Sequence, residues 1–236
     1  MSQTCVVLLP GLLCDETVWQ RQRSALAPAN CFIPSYGTAS SIGDMARGVL
    51  AGVPSERFSL AGHSMGGRVA LEIMRTAPER VERLALLDTG IDPLPDREAG
   101  IRERDQRMAL LQIAREQGMR KMGEKWARGM VHEDHVDTPV FAEILEMIGR
   151  CTPALFAAQI QALLDRPDAA PVLSALRCST LILCGRQDAW SPPARHERMH
   201  EMRPGSRLVV IEDSGHMSTM EQPAAVSQAL IEWLSR

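Results

Sequence analysis

Apolar positions along this chain fall into two kinds of run. Short Val-, Leu- and Ile-rich stretches bounded by Gly, Pro, Ser or Asp recur at residues 5–9, 31–33, 58–61, 84–87, 180–184 and 208–211. Unbroken apolarity over so short a span predicts strands covered on both faces. Between them, residues 41–51, 66–76, 193–202 and 223–233 show helical spacing, with Pro78 and Pro204 as stop signals. Strands alternating with helices imply an α/β fold, a mainly parallel sheet of about six strands with helices on both faces.

That alternation breaks at about residues 92–168, where helical periodicity runs on without a strand pattern. The expectation is one domain spanning 1–236, with an all-helical insertion capping the sheet. Glu98/Arg102 and Glu103/Arg107 are spaced i,i+4, so much of the insertion's charge reads as a solvated helix face.

Composition narrows the function. A net charge of −3 offers no electrostatic footprint for nucleic acid or an anionic membrane, so neither is an expected partner. The six cysteines form no C-x-x-C pair and no cluster with histidine, and read as free, mostly buried thiols with no metal site. The first residues carry no basic segment ahead of an apolar run, no apolar run reaches 18 residues, and a cytoplasmic location is expected.

Candidate chemistry starts in "SLAGHSMGGRVAL", residues 59–71. Gly62-His63-Ser64-Met65-Gly66 is G-x-S-x-G between a predicted strand and a predicted helix, the context in which the serine sits on a tight turn with its hydroxyl exposed. The missing side chains at Gly62 and Gly66 make room for that turn, and Gly67 lets the helix pack close to a strand. A phosphate loop is excluded, since neither G-K-[ST] nor G-x-G-x-x-G is present. Ser64 is therefore the candidate nucleophile. It needs a general base and an acid that orients the base, in chain order Ser, Asp or Glu, His. His216, in a glycine-containing loop after the last strand, is the candidate base. His63 is expected to point away from the active face, and His132, His135, His196 and His200 to lie on the surface. Two acids follow strand ends, Asp188 in "LILCGRQDAWSPP" and Asp88 in "LALLDTGID"; Asp188 is preferred, with Asp88 as a turn, capping or spare carboxylate.

The segments "GHSMGG", "GRQDAWSPP" and "DSGHMSTMEQP" resemble the α/β-hydrolases, in particular the carboxylesterase-like branch that includes pimeloyl-carrier-protein methyl ester carboxylesterase. The resemblance implies an oxyanion hole from the backbone N–H groups of Met65 and Leu12, with Pro10 where many relatives have histidine, and a sheet lacking the family's N-terminal strand pair. It implies no cofactor. Aspartate replaces the elbow serine in epoxide hydrolases and haloalkane dehalogenases of this fold, which disfavours those activities here. The expected activity is hydrolysis of a small carboxylic ester through an acyl-enzyme. Thioester, lactone or carbon–carbon bond hydrolysis, acyl transfer to an alcohol or peroxide, and a catalytically weak receptor are the alternatives. Met108, Met119, Met122, Met130, Met147, Trp126 and Phe141 make the cap apolar, implying preference for a short-to-medium acyl ester with an apolar body over a charged one. Arg102, Arg104 and Arg107 could instead recruit an acidic carrier protein.

Overall fold

A computed structural model describes residues 4–235. Six strands, β1 (Cys5–Leu9), β2 (Asn30–Phe32), β3 (Phe58–His63), β4 (Val81–Leu87), β5 (Ser179–Gly185) and β6 (Arg207–Ile211), form one sheet in the order β2-β1-β3-β4-β5-β6. Every pairing is parallel. Among the described residues there is no antiparallel pair. Helices connect the strands: α1 (Gln20–Ala25), α2 (Ile42–Gly52), α3 (Met65–Thr76), α4 (Arg97–Gln117), α5 (Met119–Trp126), α6 (Pro139–Gly149), α7 (Pro153–Leu164), α8 (Ala170–Ala175), α9 (Pro193–Met202), α10 (Ser218–Glu221) and α11 (Pro223–Leu234).

The period-two alternation of the strands splits the core in two. Val6, Leu8, Ala61, Ala85, Leu87, Leu181 and Leu183 face α11 residues Val226, Leu230 and Trp233. Val7, Leu9, Leu60, Leu84, Leu86 and Ile182 face α2, α3 and Met199 of α9. The insertion is built of helices and the loops between them, with no strand among the described residues, and its Met122, Phe141, Ile144, Phe156 and Ile160 continue the first of these clusters.

Where the sequence reading and the structure differ, the differences are local. β3 runs on to His63 and β4 begins at Val81, because both keep pairing beyond the fully apolar stretch. The short helices α1, α8 and α10 lack the length for a periodic signal. All six cysteines are free, but only Cys5 and Cys184 are buried. No helix among the described residues is long and apolar enough to cross a membrane.

Candidate active site

The turn from β3 into α3 is strained at Ser64, which takes φ 54° and ψ −116°. A non-glycine residue there is held only by surrounding contacts. Its N–H donates to the Leu87 carbonyl at 2.8 Å, and its carbonyl accepts from Gly67 N–H at 3.0 Å and Thr89 Oγ1 at 2.6 Å. The flanking glycines are sterically required: a Cβ on Gly62 would stand 2.4 Å from the Gly66 carbonyl oxygen, and one on Gly66 would stand 2.3 Å from that of Leu9. The third glycine faces Thr89, whose side chain a Gly67 Cβ would meet at 2.7 Å.

Loops at the carboxyl ends of β5 and β6 bring two further side chains to this turn. His216 Nε2 lies 2.8 Å from Ser64 Oγ, and His216 Nδ1 lies 2.8 Å from Asp188 Oδ2. In the consistent arrangement Nδ1–H donates to the carboxylate while Nε2 accepts from the serine hydroxyl. Asp188 Oδ1 accepts the amides of Trp190 and Ser191, both at 2.8 Å. Burial alone would push the Asp188 carboxyl up, but the adjacent His216, its hydrogen bond and the two amides outweigh burial and hold the pKa below the usual carboxylate value. Burial likewise disfavours a charged His216. Asp188's charge and hydrogen bond outweigh it and raise the imidazole pKa.

Asp88 does not reach the imidazole hydrogen-bond positions. Fully buried at φ 50°, it accepts Gly185 N–H at 3.0 Å and hydrogen-bonds the Ser218 hydroxyl, tying the end of β4 to β5 and to α10. Burial, then the nearby Asp188, push its pKa well up.

Two histidine expectations are overturned. His63 does not point away: its Nε2–H donates to the His216 carbonyl at 2.8 Å, and the two rings pack with centroids 5.5 Å apart. Burial and the nearby His216 lower its pKa to about 4, so it is a neutral imidazole packed against His216. His196 is buried rather than superficial, and its Nε2 accepts Thr89 N–H at 3.1 Å, fixing the residue whose hydroxyl bonds the Ser64 carbonyl. Burial brings its pKa to about 4 as well. His132, His135 and His200 are half-buried. Glu221 escaped the sequence reading. It accepts the amides of Gly215 at 3.0 Å, Met217 at 3.0 Å and His132 at 2.7 Å, clamping the His216 loop to the insertion. Its position, five residues after the histidine in "GHMSTMEQP", was the available signal.

Ser64 and His216 open into a pocket of about 900 Å³ roofed by the insertion. Leu12 and Met65 line it beside the serine. Met65 is the first residue of α3, so its N–H has no acceptor within the helix. In the loop after β1, the Leu13 amide is taken by Gln159 and that of Cys14 by the Gly11 carbonyl. Of the seven large apolar cap residues noted above, Trp126 and Met130 reach the pocket. Met119, Met122, Met147 and Phe141 are packed inside the cap, and Met108 is exposed. The lining is less apolar than the cap sequence implies, because Arg68, Arg107, Arg166 and Arg195 also face it. Arg107 is therefore turned inward onto Glu103, while Arg102 is exposed and pairs with Glu98.

Comparison with known proteins agrees with this architecture. The model of a family described as "Alpha/beta hydrolase family" matches residues 6–229. A thermophilic esterase from Thermogutta terrifontis, solved with malate bound, superposes with a TM-score of 0.87 at 31% identity, over 99% of this chain and 90% of the esterase. The enol-lactonase from Burkholderia xenovorans LB400 gives a TM-score of 0.87 at 19% identity, over 100% and 93% of the two chains, a likeness of fold alone. In sequence, the chain is 23% identical over 231 residues to the 2-hydroxy-6-oxononadienedioate/2-hydroxy-6-oxononatrienedioate hydrolase of Escherichia coli, covering 86% of this chain and 74% of that one.

Proposed function

The chain belongs to the alpha/beta hydrolase family, and from that premise we propose that it is a serine hydrolase that cleaves small carboxylic esters, with short-to-medium acyl groups of apolar body, through an acyl-enzyme. The observation that carries this reading is the continuous relay Asp188–His216–Ser64, with both contacts at 2.8 Å, on a strained elbow inside a pocket. Ser64 Oγ attacks the ester carbonyl while its proton passes to His216 Nε2. Asp188 holds the imidazole in the Nδ1–H form and stabilises the imidazolium. The amides of Met65 and Leu12 receive the oxyanion. The intermediate collapses as His216 returns the proton to the departing alkoxide. Water then attacks the acyl-enzyme, giving its proton to His216, and the acid leaves as Ser64 regains its hydrogen. Trp126, Met130 and Trp190 supply apolar wall against which the acyl chain packs.

A fluorophosphonate probe tests the reading directly. Mass mapping is expected to find one adduct, on the peptide containing Ser64, and none in Ser64→Ala; nitrophenyl esters of rising acyl length should give a maximum at short-to-medium chains. Labelling elsewhere, or none, would overturn it.

A further inference from the structure

The four arginines of the pocket are unequally neutralised. Arg166 Nη1 and Nη2 meet the two oxygens of Glu103 at 2.7 and 2.9 Å, and Arg107 donates to the same carboxylate at 2.9 and 3.0 Å. Arg166 also donates to the carbonyls of Asp92, Pro93 and Leu163. Arg68 and Arg195 have no such partner, since no carboxylate lies within ion-pair reach of either among the described residues. Arg68 Nη1 donates to the Asp92 carbonyl at 2.8 Å, and Arg195 Nη1 to the Trp190 carbonyl and Ser191 Oγ at 3.2 and 3.4 Å. The Asp92 carboxylate is turned outward to Arg198 at 2.9 Å.

These two guanidiniums converge. A Cβ on Gly90 would stand 3.2 Å from Arg195 Nη1 and 3.3 Å from Arg68 Nη2. Gathering unpaired like charges in a partly dry cleft is unfavourable unless an anion lies between them. Burial, then the charges of Arg166 and Arg195, push the Arg68 pKa down to about 9, which leaves it charged at neutral pH. Both residues are tied to the reacting centre. Arg68 follows Ser64 by one turn of α3, about 6 Å along the axis, and Arg195 leans on the loop that presents Asp188.

We propose that Arg68 and Arg195 form an anion subsite that takes a carboxylate of the substrate a few carbon atoms from the scissile carbonyl, so that the preferred substrates are half-esters of dicarboxylic acids. This rests on the serine-hydrolase reading of the same pocket and sharpens it: the acyl body packs on the apolar wall and its far end is anionic. The planar guanidinium suits a carboxylate through paired, charge-assisted hydrogen bonds.

The test compares kcat/KM for mono-4-nitrophenyl adipate with that for its neutral methyl ester. The native enzyme is expected to favour the acid at least tenfold. Arg68→Gln and Arg195→Gln should each lower that ratio about tenfold or more, with Arg68→Lys retaining part of it. A ratio at or below one in the native enzyme, or a ratio unmoved in both variants, overturns the subsite while leaving the hydrolase reading standing. Binding is read separately by calorimetry, titrating adipate into the Ser64→Ala protein with and without Arg68→Gln. If the native enzyme hydrolyses neither ester, the hydrolase reading falls and this titration decides the subsite alone: adipate binding weakened at least tenfold by Arg68→Gln supports it. No adipate binding, or tighter binding of inorganic phosphate, overturns it. Circular dichroism checks each variant, and should Arg68→Gln fail to fold, Arg195→Gln carries both measurements.

Discussion

The strand-end loops and the helices of the insertion face the same pocket, yet they hold their polar groups in opposite ways. At the strand ends and in the loops and short helix that follow them, Asp188, His216, Glu221, His63 and Asp88 are buried, and their partners are backbone amides and carbonyls, the Ser64 and Ser218 hydroxyls, or one another. On the outer face of α4, Glu98 and Arg102 pair across one helical turn in solvent. A buried hydrogen bond whose partner is removed leaves a desolvated group unpaired, whereas an exposed ion pair exchanges one solvated state for another. The buried groups should therefore be intolerant of changes that leave a hydrogen-bond partner unsatisfied, and the outer cap nearly indifferent. Arg166 and Glu103 stand between these extremes, a mostly buried pair 63 residues apart lining the pocket.

The largest effect should come from Ser64→Ala, which is expected to lower turnover of an activated ester by roughly 10⁵–10⁶-fold with an unchanged circular dichroism melt. Turnover near that of the native enzyme would remove the elbow from the chemistry. Next, Asp188→Asn should cost about 10⁴-fold through the wrong imidazole tautomer. Asp88→Asn should cost less than about tenfold, because an amide oxygen still accepts the Gly185 N–H while its NH₂ can donate to the Ser218 hydroxyl oxygen. Steady-state kinetics on the two variants decides between them, and the reverse ranking would exchange their roles. Glu221→Gln replaces an acceptor of three amides with a group that presents two N–H donors, and should lower unfolding free energy by about 1–3 kcal/mol in a denaturant titration. A variant as stable as the parent would show that the His216 loop needs no clamp.

The pH profile sharpens the same contrast. His216 must be neutral to accept the serine proton, and its pKa is raised in the folded protein. The acid limb of kcat/KM should therefore lie above the ordinary histidine value of about 6.5, activity falling as pH drops through it. Asp188→Asn should move that limb to lower pH. The linkage to stability has the opposite sense: charged His216 contributes stability below the unfolded pKa, and this is lost as pH rises through the folded value. A limb below 6.5, or one indifferent to Asp188→Asn, would contradict the relay's electrostatics. The smallest effect belongs to the cap, where Arg102→Ala should change stability by about 0.5 kcal/mol or less in the same titration. A larger loss would mean that the outer face of α4 is not simply solvated.

The chain alone indicated the strands, most helices, the helical insertion, and Ser64 and His216 as candidate partners, because each is written within a few positions. Apolar runs bounded by turn residues specify a buried strand, and glycines around Ser64 specify a backbone too tight for any Cβ. His216 was legible from chain order and from its place just after a strand, and Asp188 as the preferred of two candidate acids. Only the tertiary structure decided which carboxylate meets the imidazole, since Asp88 and Asp188 both follow strand ends and the choice turns on how the β5 and β6 loops fold over them. It alone turned His63 inward against His216, 153 residues away, and buried His196 against Thr89. It also decided the polarity of the pocket. A cap rich in methionine reads as an apolar roof, yet most of those side chains fill the cap's own interior, and the wall they leave is completed by Arg68 from α3 and Arg195 from α9. Local backbone strain and periodicity are carried by neighbouring residues, whereas the meeting of side chains from distant segments depends on the order and twist of the sheet that carries them.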